Sequence, residues 1–315
     1  MTLSKITSDI QERDWPGTGT GPKNDAYALK FLIRHEKQYN IKVTSSDMQA
    51  YFDAEGGLAV FEESNGKQYN FFQGSWLSNF QPALFRDDNG AIYNCTEQGF
   101  QAIKALFVAS ESKTKGYDDA SDIAMEVYNK IMKSFNPLYQ KLSASSKFLF
   151  MDQEMRDTWA IISPEVMLRL IRLKFSQNKH LQQRLVSLAG SKIFEAVPDD
   201  NIWSIGMTAQ TAIFGPSSDV DPASPEILRL HGWSGLKNSP HDAGEASFAG
   251  QNRLGRILEH VRDELLAGSE RPLDGSDDAV RGAVSALFGR TQPAADESGA
   301  EKLAFYARVA SFEGM

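Results

Sequence analysis

The chain of 315 residues is long enough for about two average domains or one enlarged domain, and 41% hydrophobic with 23% charged residues excludes wholesale disorder. Its 33 basic and 41 acidic residues leave a net charge of -8, which disfavours a protein that coats duplex nucleic acid while permitting a local basic cleft. The longest apolar runs, such as Val166 to Leu173, are interrupted by arginine and fall well short of a membrane span.

The N-terminal stretch MTLSKITSDIQERDW carries acids where a secretory signal needs its apolar run, so a cytoplasmic protein with no membrane partner is expected. Residues 16–25, PGTGTGPKND, read as a Gly/Pro linker. Their spaced glycines suggest a phosphate cradle, but no apolar strand precedes them and no Gly-Lys-Ser follows. Asn24 and Asp25 can cap a helix over residues 26–38. Leu58 to Phe61 and Gln68 to Phe72 are β-prone runs flanking Ser64-Asn65-Gly66-Lys67, whose Asn-Gly suits a tight hairpin turn. Ala83 to Phe85 and Ala91 to Tyr93 repeat the pattern around Asp87 to Gly90. These four short strands are expected to form one small antiparallel sheet.

Beyond residue 95 the character turns helical. Thr96 reads as an N-cap, and Phe100, Ile103 and Phe107 mark an apolar face. Ser163-Pro164-Glu165 reads as a helix start with proline in the first position, and Val166, Leu170 and Leu173 then share one side. Leu181, Leu185 and Leu188 continue a helical pattern up to a stop at Gly190. Residues 207–249, rich in Ser, Pro, Gly and Ala, read as an inserted loop region. A core helix over about 253–266, a linker at 268–276, a short amphipathic helix marked by Val280, Val284 and Leu287, a loose stretch and a terminal helix complete the chain.

Three segments have the residues for chemistry. Glu97 and Lys104 stand seven apart, which on a helix returns to almost the same direction after two turns, with Gln101 between them. A carboxylate, an amide and an amine can then look into one cleft while Phe100 and Ile103 turn to the core. On spacing alone a plain solvated Glu/Lys face is the simpler reading. In Glu195-Ala-Val-Pro-Asp-Asp200-Asn-Ile-Trp203, acids and an indole in a turn can flank a sugar, the carboxylates meeting positive charge and the indole stacking. An acidic surface loop with an inward tryptophan fits as well. Gly250-Gln-Asn252-Arg253-Leu-Gly-Arg256 opens a helix and can offer N–H groups and guanidinium to phosphate, a weak pattern taken singly. His35, His180, His231, His241 and His260 show no metal spacing, and Cys95 reads as a buried small hydrophobe. It is the only cysteine, which excludes an internal disulfide and a Cys-based zinc cluster.

The order of the segments is more specific than any of them. Phe71-Phe72, Ser78-Asn79-Phe80, Thr96-Glu97-Gln98 with Gln101 and Lys104, Trp159, Lys174-Phe175, Glu195, Asp200 with Trp203, and Asn252-Arg253-Leu254-Gly255 follow one another at a characteristic spacing. Over about residues 69–266 the chain resembles the NADAR (NAD- and ADP-ribose-associated), YbiA-like family. It departs from the pattern in Ser204-Ile205 before Gly206, in the long segment 207–249, and in its two flanking extensions.

That resemblance implies an α+β fold, a mainly helical YbiA-like domain with a small antiparallel sheet. It would occupy residues 66–266, with an insertion at about 207–249, an N-terminal extension over 1–65 and a C-terminal helical extension over 267–315. Members of the family are N-glycosidases, some acting on riboflavin-pathway intermediates and others removing ADP-ribose from guanine bases. The resemblance therefore implies hydrolysis of the C1″–N bond between ADP-ribose and guanine in nucleic acid, or of an ADP-ribose-containing small molecule, with an ADP-ribosyltransferase as counterpart. It assigns Glu97 as general acid/base, Asp200 to the ribose hydroxyls and positive charge, and Lys104 to a covalent role, with Lys174 the alternative amine. Asn79, Gln101 and Asn252 would supply amide hydrogen bonds and Arg253 would meet the pyrophosphate. Glu195 joins the substrate-binding set. Phe72, Phe80, Trp159 and Trp203 would wall the pocket, although core packing accounts equally for Phe72 and Phe80. The chemistry calls for no metal or cofactor. Two other readings stay open: the same bond class in a phosphoribosylamino-pyrimidine of flavin biosynthesis, and a module that binds NAD or ADP-ribose without turnover.

Overall fold

The computed structural model describes residues 58–62, 68–207, 212 and 250–292. The linker and helix expected near the N-terminus, the turn at 64–67, nearly all of the 207–249 segment and the terminal helix lie outside the described residues. In chain order the elements are β1 (Leu58–Glu62), β2 (Gln68–Phe72), β3 (Phe85–Arg86), β4 (Ile92–Tyr93), α1 (Thr96–Thr114), α2 (Asp118–Lys133), α3 (Pro137–Ser143), α4 (Gln153–Gln177), α5 (Lys179–Ser187), β5 (Lys192–Glu195), α6 (Arg253–Ala267) and α7 (Asp278–Phe288). This is the expected mainly helical α+β organisation. The described residues fall into two compact units, one holding 79–180 and 272–292, the other 58–62, 68–78, 181–207, 212 and 250–271.

The first unit is built on α1. Its cap is Cys95 rather than Thr96: Cys95 is extended, at φ -167° and ψ 166°, and its Sγ accepts the Gln98 N–H at 3.4 Å, while Thr96 is already helical. Cys95 is thus both buried, as expected, and a cap. Gln98 binds both neighbours, accepting the Asn94 N–H at 2.8 Å and donating to the Ile131 and Ser134 carbonyls at 2.8 and 2.9 Å. That fixes the start of α1 to the end of α2. Phe100 and Ile103 are buried, as the apolar face requires.

The second long helix corrects another expectation. Pro164 lies inside α4 and not at its start, because Asp152 supplies the true cap by accepting the Met155 N–H at 2.9 Å. A proline in mid-helix forfeits one backbone bond and crowds the preceding turn, commonly a cost of about 3 kcal/mol. The buried run Ile162, Val166, Leu168, Leu170 and Ile171 offsets it on both sides of the proline. Leu170 fills the space over Gly99 on α1, and Trp159 packs on Phe100 and Phe107 with ring centroids 5.3 and 5.5 Å away.

The amphipathic helix α7 starts at Asp277, whose carboxylate accepts the Val280 N–H at 2.8 Å. Val284, Leu287 and Phe288 are its buried residues, and it packs on α1 and α4. The β3–β4 hairpin secures its far end: Asn89 Nδ2 donates to the Phe288 and Thr291 carbonyls at 3.1 and 3.2 Å. Inside that hairpin Asp87 accepts the Asn89 and Ala91 N–H groups and the Tyr93 hydroxyl, the last at 2.7 Å. Burial, with the Asp87 charge beside it, pushes the Tyr93 phenol well above its ordinary range.

In the second unit β1 and β2 form the expected antiparallel hairpin, Leu58 opposite Phe72 and Glu62 opposite Gln68. The four early strands do not join in one sheet. β3 and β4 pair only with each other, and the far edge of β2 is taken by β5 in parallel, Tyr69 beside Lys192 and Phe72 beside Glu195. Hairpin signals fix pairing across a turn and say nothing of which strand fills a free edge. Phe194 on β5 stacks on Phe71 at 5.1 Å and Tyr69 at 6.4 Å. Leu181 and Leu185 are buried on α5, which ends at Ser187, so Leu188 lies just past it; Gly190 has the positive φ of a stop, +75°. Among the described residues no helix is long and apolar enough to cross a membrane.

Candidate active site

The first unit brings Asn79, Glu97, Gln101 and Lys104 together. Glu97 is in the opening turn of α1, where a negative charge is favoured by the helix dipole. Its N–H donates to the Asn79 carbonyl at 3.0 Å, and its carboxylate accepts from Gln101 Nε2 at 2.8 Å. Glu97 is 5% exposed, Gln101 7% and Asn79 8%. These are not members of a solvated face, so burial removes the simpler reading of the spacing.

Lys104 is two turns along the same helix and half-buried. Its Nζ donates to the Ala144 carbonyl, just past α3, at 3.0 Å. Burial lowers its pKa from the ordinary lysine value, and the Glu97 charge opposes that shift. The amine is therefore shifted toward the neutral, nucleophilic form while a carboxyl stands near enough to influence its proton.

Phe80 is half-buried, with the Lys141 ammonium 5.9 Å from its ring centroid. Trp159 is engaged in the α1–α4 packing described above. Lys174, the alternative amine, is 0% exposed, with its Nζ 5.1 Å from the Phe175 ring centroid. Ala144 and Lys141 had no signal in the sequence, since a main-chain acceptor 40 residues from its lysine follows no local spacing.

The second unit carries the remaining candidates. Phe72 is 0% exposed within the three-stranded sheet. Asp200 Oδ1 accepts the N–H groups of Ile202 and Trp203 at 2.9 and 2.8 Å, a turn that orients its own half-buried indole. Asn252 adopts the left-handed conformation, φ 49°, and its amide spans β5, accepting the Glu195 N–H at 3.0 Å and donating to the Ile193 carbonyl at 2.9 Å. Arg253 follows on α6, its Nε donating to Gln251 Oε1 at 2.8 Å. Gly250 and Gly255 fit where a methyl group would strike the Ser204 and Ile193 carbonyls respectively. Much of the Gly-Gln-Asn-Arg-Leu-Gly pattern therefore docks α6 on β5. Among the described residues no group of three or more His, Cys, Asp or Glu could hold a metal ion.

Comparison with known proteins bears on what this arrangement is for. The family model described as "NADAR domain" matches residues 60–266. Protein irg-1 of Caenorhabditis elegans is 27% identical over 199 residues, 63% of this chain and 73% of that protein. N-glycosidase R617 of Acanthamoeba polyphaga mimivirus is 36% identical over 93 residues, 30% of this chain and 38% of that protein. The chloroplastic riboflavin biosynthesis protein PYRR of Zea mays is 32% identical over 134 residues, 41% of this chain but 20% of that protein. The solved NMR structure of the E. coli protein YbiA is 20% identical, with a TM-score of 0.37, covering 61% of this chain and 79% of that one. With the family model covering residues 60–266 of a 315-residue chain, the protein belongs to the NADAR domain family.

Proposed function

We propose that the protein is an N-glycosidase that hydrolyses the C1″–N bond joining ADP-ribose to a guanine base in nucleic acid. The observation that carries the reading is the pair on α1: a Lys104 amine whose pKa burial lowers, two turns from a buried Glu97 carboxyl. Binding alone needs neither a proton donor nor a neutral amine, so turnover accounts for the pair better than a sensor of NAD or ADP-ribose does. The viral relative's name carries the same activity class.

The chemistry balances with one water consumed. The guanine nitrogen lone pair forms C1″=N as the C1″–O4″ bond breaks, and Glu97 protonates O4″. The Lys104 amine adds to C1″; its proton passes through Glu97 to the guanine nitrogen, which departs with the C–N bonding pair. Water then adds to the Lys104 iminium, the amine leaves, and the freed aldehyde recloses with the O4″ hydroxyl to ADP-ribose. Proton transfers of this kind are worth roughly 10²–10⁴-fold in rate.

A second reading is favoured by the maize relative, named for riboflavin biosynthesis. There the substrate is a phosphoribosylamino-pyrimidine and the product ribose phosphate. Incubating the purified chain with an ADP-ribosyl-guanine oligonucleotide and with the pyrimidine, then separating products, decides between them. ADP-ribose released only from the oligonucleotide supports the first reading. Ribose phosphate released only from the pyrimidine replaces it with the second, and binding without product from either overturns both.

A further inference from the structure

Two buried acceptors beside Glu97 have no donor among the described residues. Among the described residues Asn79 Oδ1 and Gln101 Oε1 have no hydrogen-bond partner, although both residues are more than nine-tenths buried. With Glu97 ionised the Gln101 amide cannot be reversed, because its nitrogen must then face the carboxylate, to which it donates at 2.8 Å. Asn79 is tied to Glu97 through its backbone carbonyl, which leaves its side chain uncommitted. Leaving a buried acceptor unmet is costly, so such groups call for a partner that arrives from outside the chain.

That partner must bring hydrogen-bond donors, and bring them next to the carboxyl that works at an anomeric carbon. The nearest donors in a substrate oriented for that chemistry are the 2″-hydroxyl, on the carbon adjoining C1″, and the 3″-hydroxyl beside it. We propose that Asn79 and Gln101 bind the vicinal 2″- and 3″-hydroxyls of the sugar, so that the site selects N-ribosyl bonds and rejects N-deoxyribosyl bonds. This rests on the N-glycosidase reading above and adds to it a reason for safety. A purine in DNA hangs on deoxyribose by the same class of bond, and an enzyme that ignored the 2-hydroxyl would strip the strand it repairs. A site built to bind a hydroxyl can reject the analogue lacking it by as much as about 10⁴-fold, because its own acceptors are then stranded.

The test compares wild type, Asn79→Leu and Gln101→Met on an N-ribosyl-guanine substrate and its 2″-deoxy counterpart, with ADP-ribose and 2″-deoxy-ADP-ribose as binding probes. Asn79→Leu replaces an amide that makes no side-chain bond among the described residues, so it should fold with an unchanged or higher Tm. Wild type should prefer the ribosyl substrate by at least about 100-fold in kcat/KM, and both variants should lose most of that preference, to within about 3-fold; Asn79→Leu, which leaves the Gln101–Glu97 hydrogen bond in place, should do so by slowing chiefly on the ribosyl substrate. Variants that are slowed but keep wild-type discrimination overturn the assignment, as does a wild type indifferent to the 2″-hydroxyl. A wild type that releases no base from either substrate overturns the N-glycosidase reading instead. The binding arm still judges the diol in that case: equal affinity for the two probes, or discrimination untouched by Asn79→Leu, refutes it.

Discussion

Replacing Lys104 by arginine keeps a cation on α1 but removes an amine that can be neutral, since guanidinium does not deprotonate in proteins. If Lys104 only orients Glu97 or binds an oxygen, that variant retains much of the activity. As a nucleophile, Lys104→Arg and Lys104→Ala should both lower kcat/KM by at least about a thousandfold in product-release assays. The acidity of the group adds a second handle. Burial lowers the Lys104 pKa and the Glu97 charge raises it, so Glu97→Gln should carry it further down. The neutral amine then appears at lower pH, and labelling of Lys104 by an amine-selective reagent should begin at lower pH in Glu97→Gln than in wild type. An unchanged labelling profile would mean that the two groups do not share their proton.

At the scale of elements, two glycines make a matched pair. A methyl at Gly99 meets the end of the Leu170 side chain, which can turn away, whereas one at Gly255 meets the Ile193 carbonyl and the Asn252 amide. Gly255→Ala should therefore cost about 3 kcal/mol or more in denaturant unfolding. Gly99→Ala should cost less than half as much, helped by the roughly 1 kcal/mol by which alanine exceeds glycine in a helix. Equal losses would contradict the docking role given to the Gly250–Gly255 segment. The same elements explain what was legible in the sequence. The α6 and α7 helices were readable because their apolar spacing and flanking residues are local signals, and each early hairpin declared its own turn. β5 was not: Lys-Ile-Phe-Glu is a four-residue run whose partner β2 lies more than a hundred residues earlier, and parallel pairing leaves no turn to mark it. Pro164 misled because a proline after serine imitates a helix start, while the stabilising contacts that carry α4 through it are tertiary. In the candidate site, Glu97, Gln101 and Lys104 followed from helical spacing, whereas their burial and the Ala144 carbonyl came from chain folded over α1. Asn252 stood out by its motif, and the structure adds that its amide is committed to β5.

For the molecule as a whole, the family match ends at residue 266 but the first unit does not. Val284, Leu287 and Phe288 of α7 are buried, Asn89 holds the end of that helix, and the Arg169 guanidinium lies 4.3 Å from the Phe288 ring centroid. Ending the chain after Ala267 should uncover the surfaces of α1 and α4 beneath α7 and forfeit on the order of 5 kcal/mol, seen as a large fall in Tm. An unchanged Tm would make the extension a separable appendage. A Schiff base on Lys104 can be trapped by reduction. The full chain is incubated with ADP-ribosyl-guanine oligonucleotide in the presence of borohydride, digested, and its peptides weighed. A covalent Lys104 intermediate leaves a reduced ADP-ribose adduct on that residue, absent from Lys104→Arg. Turnover at the wild-type rate by Lys104→Arg, or an adduct carried by Lys174 in its place, would contradict it.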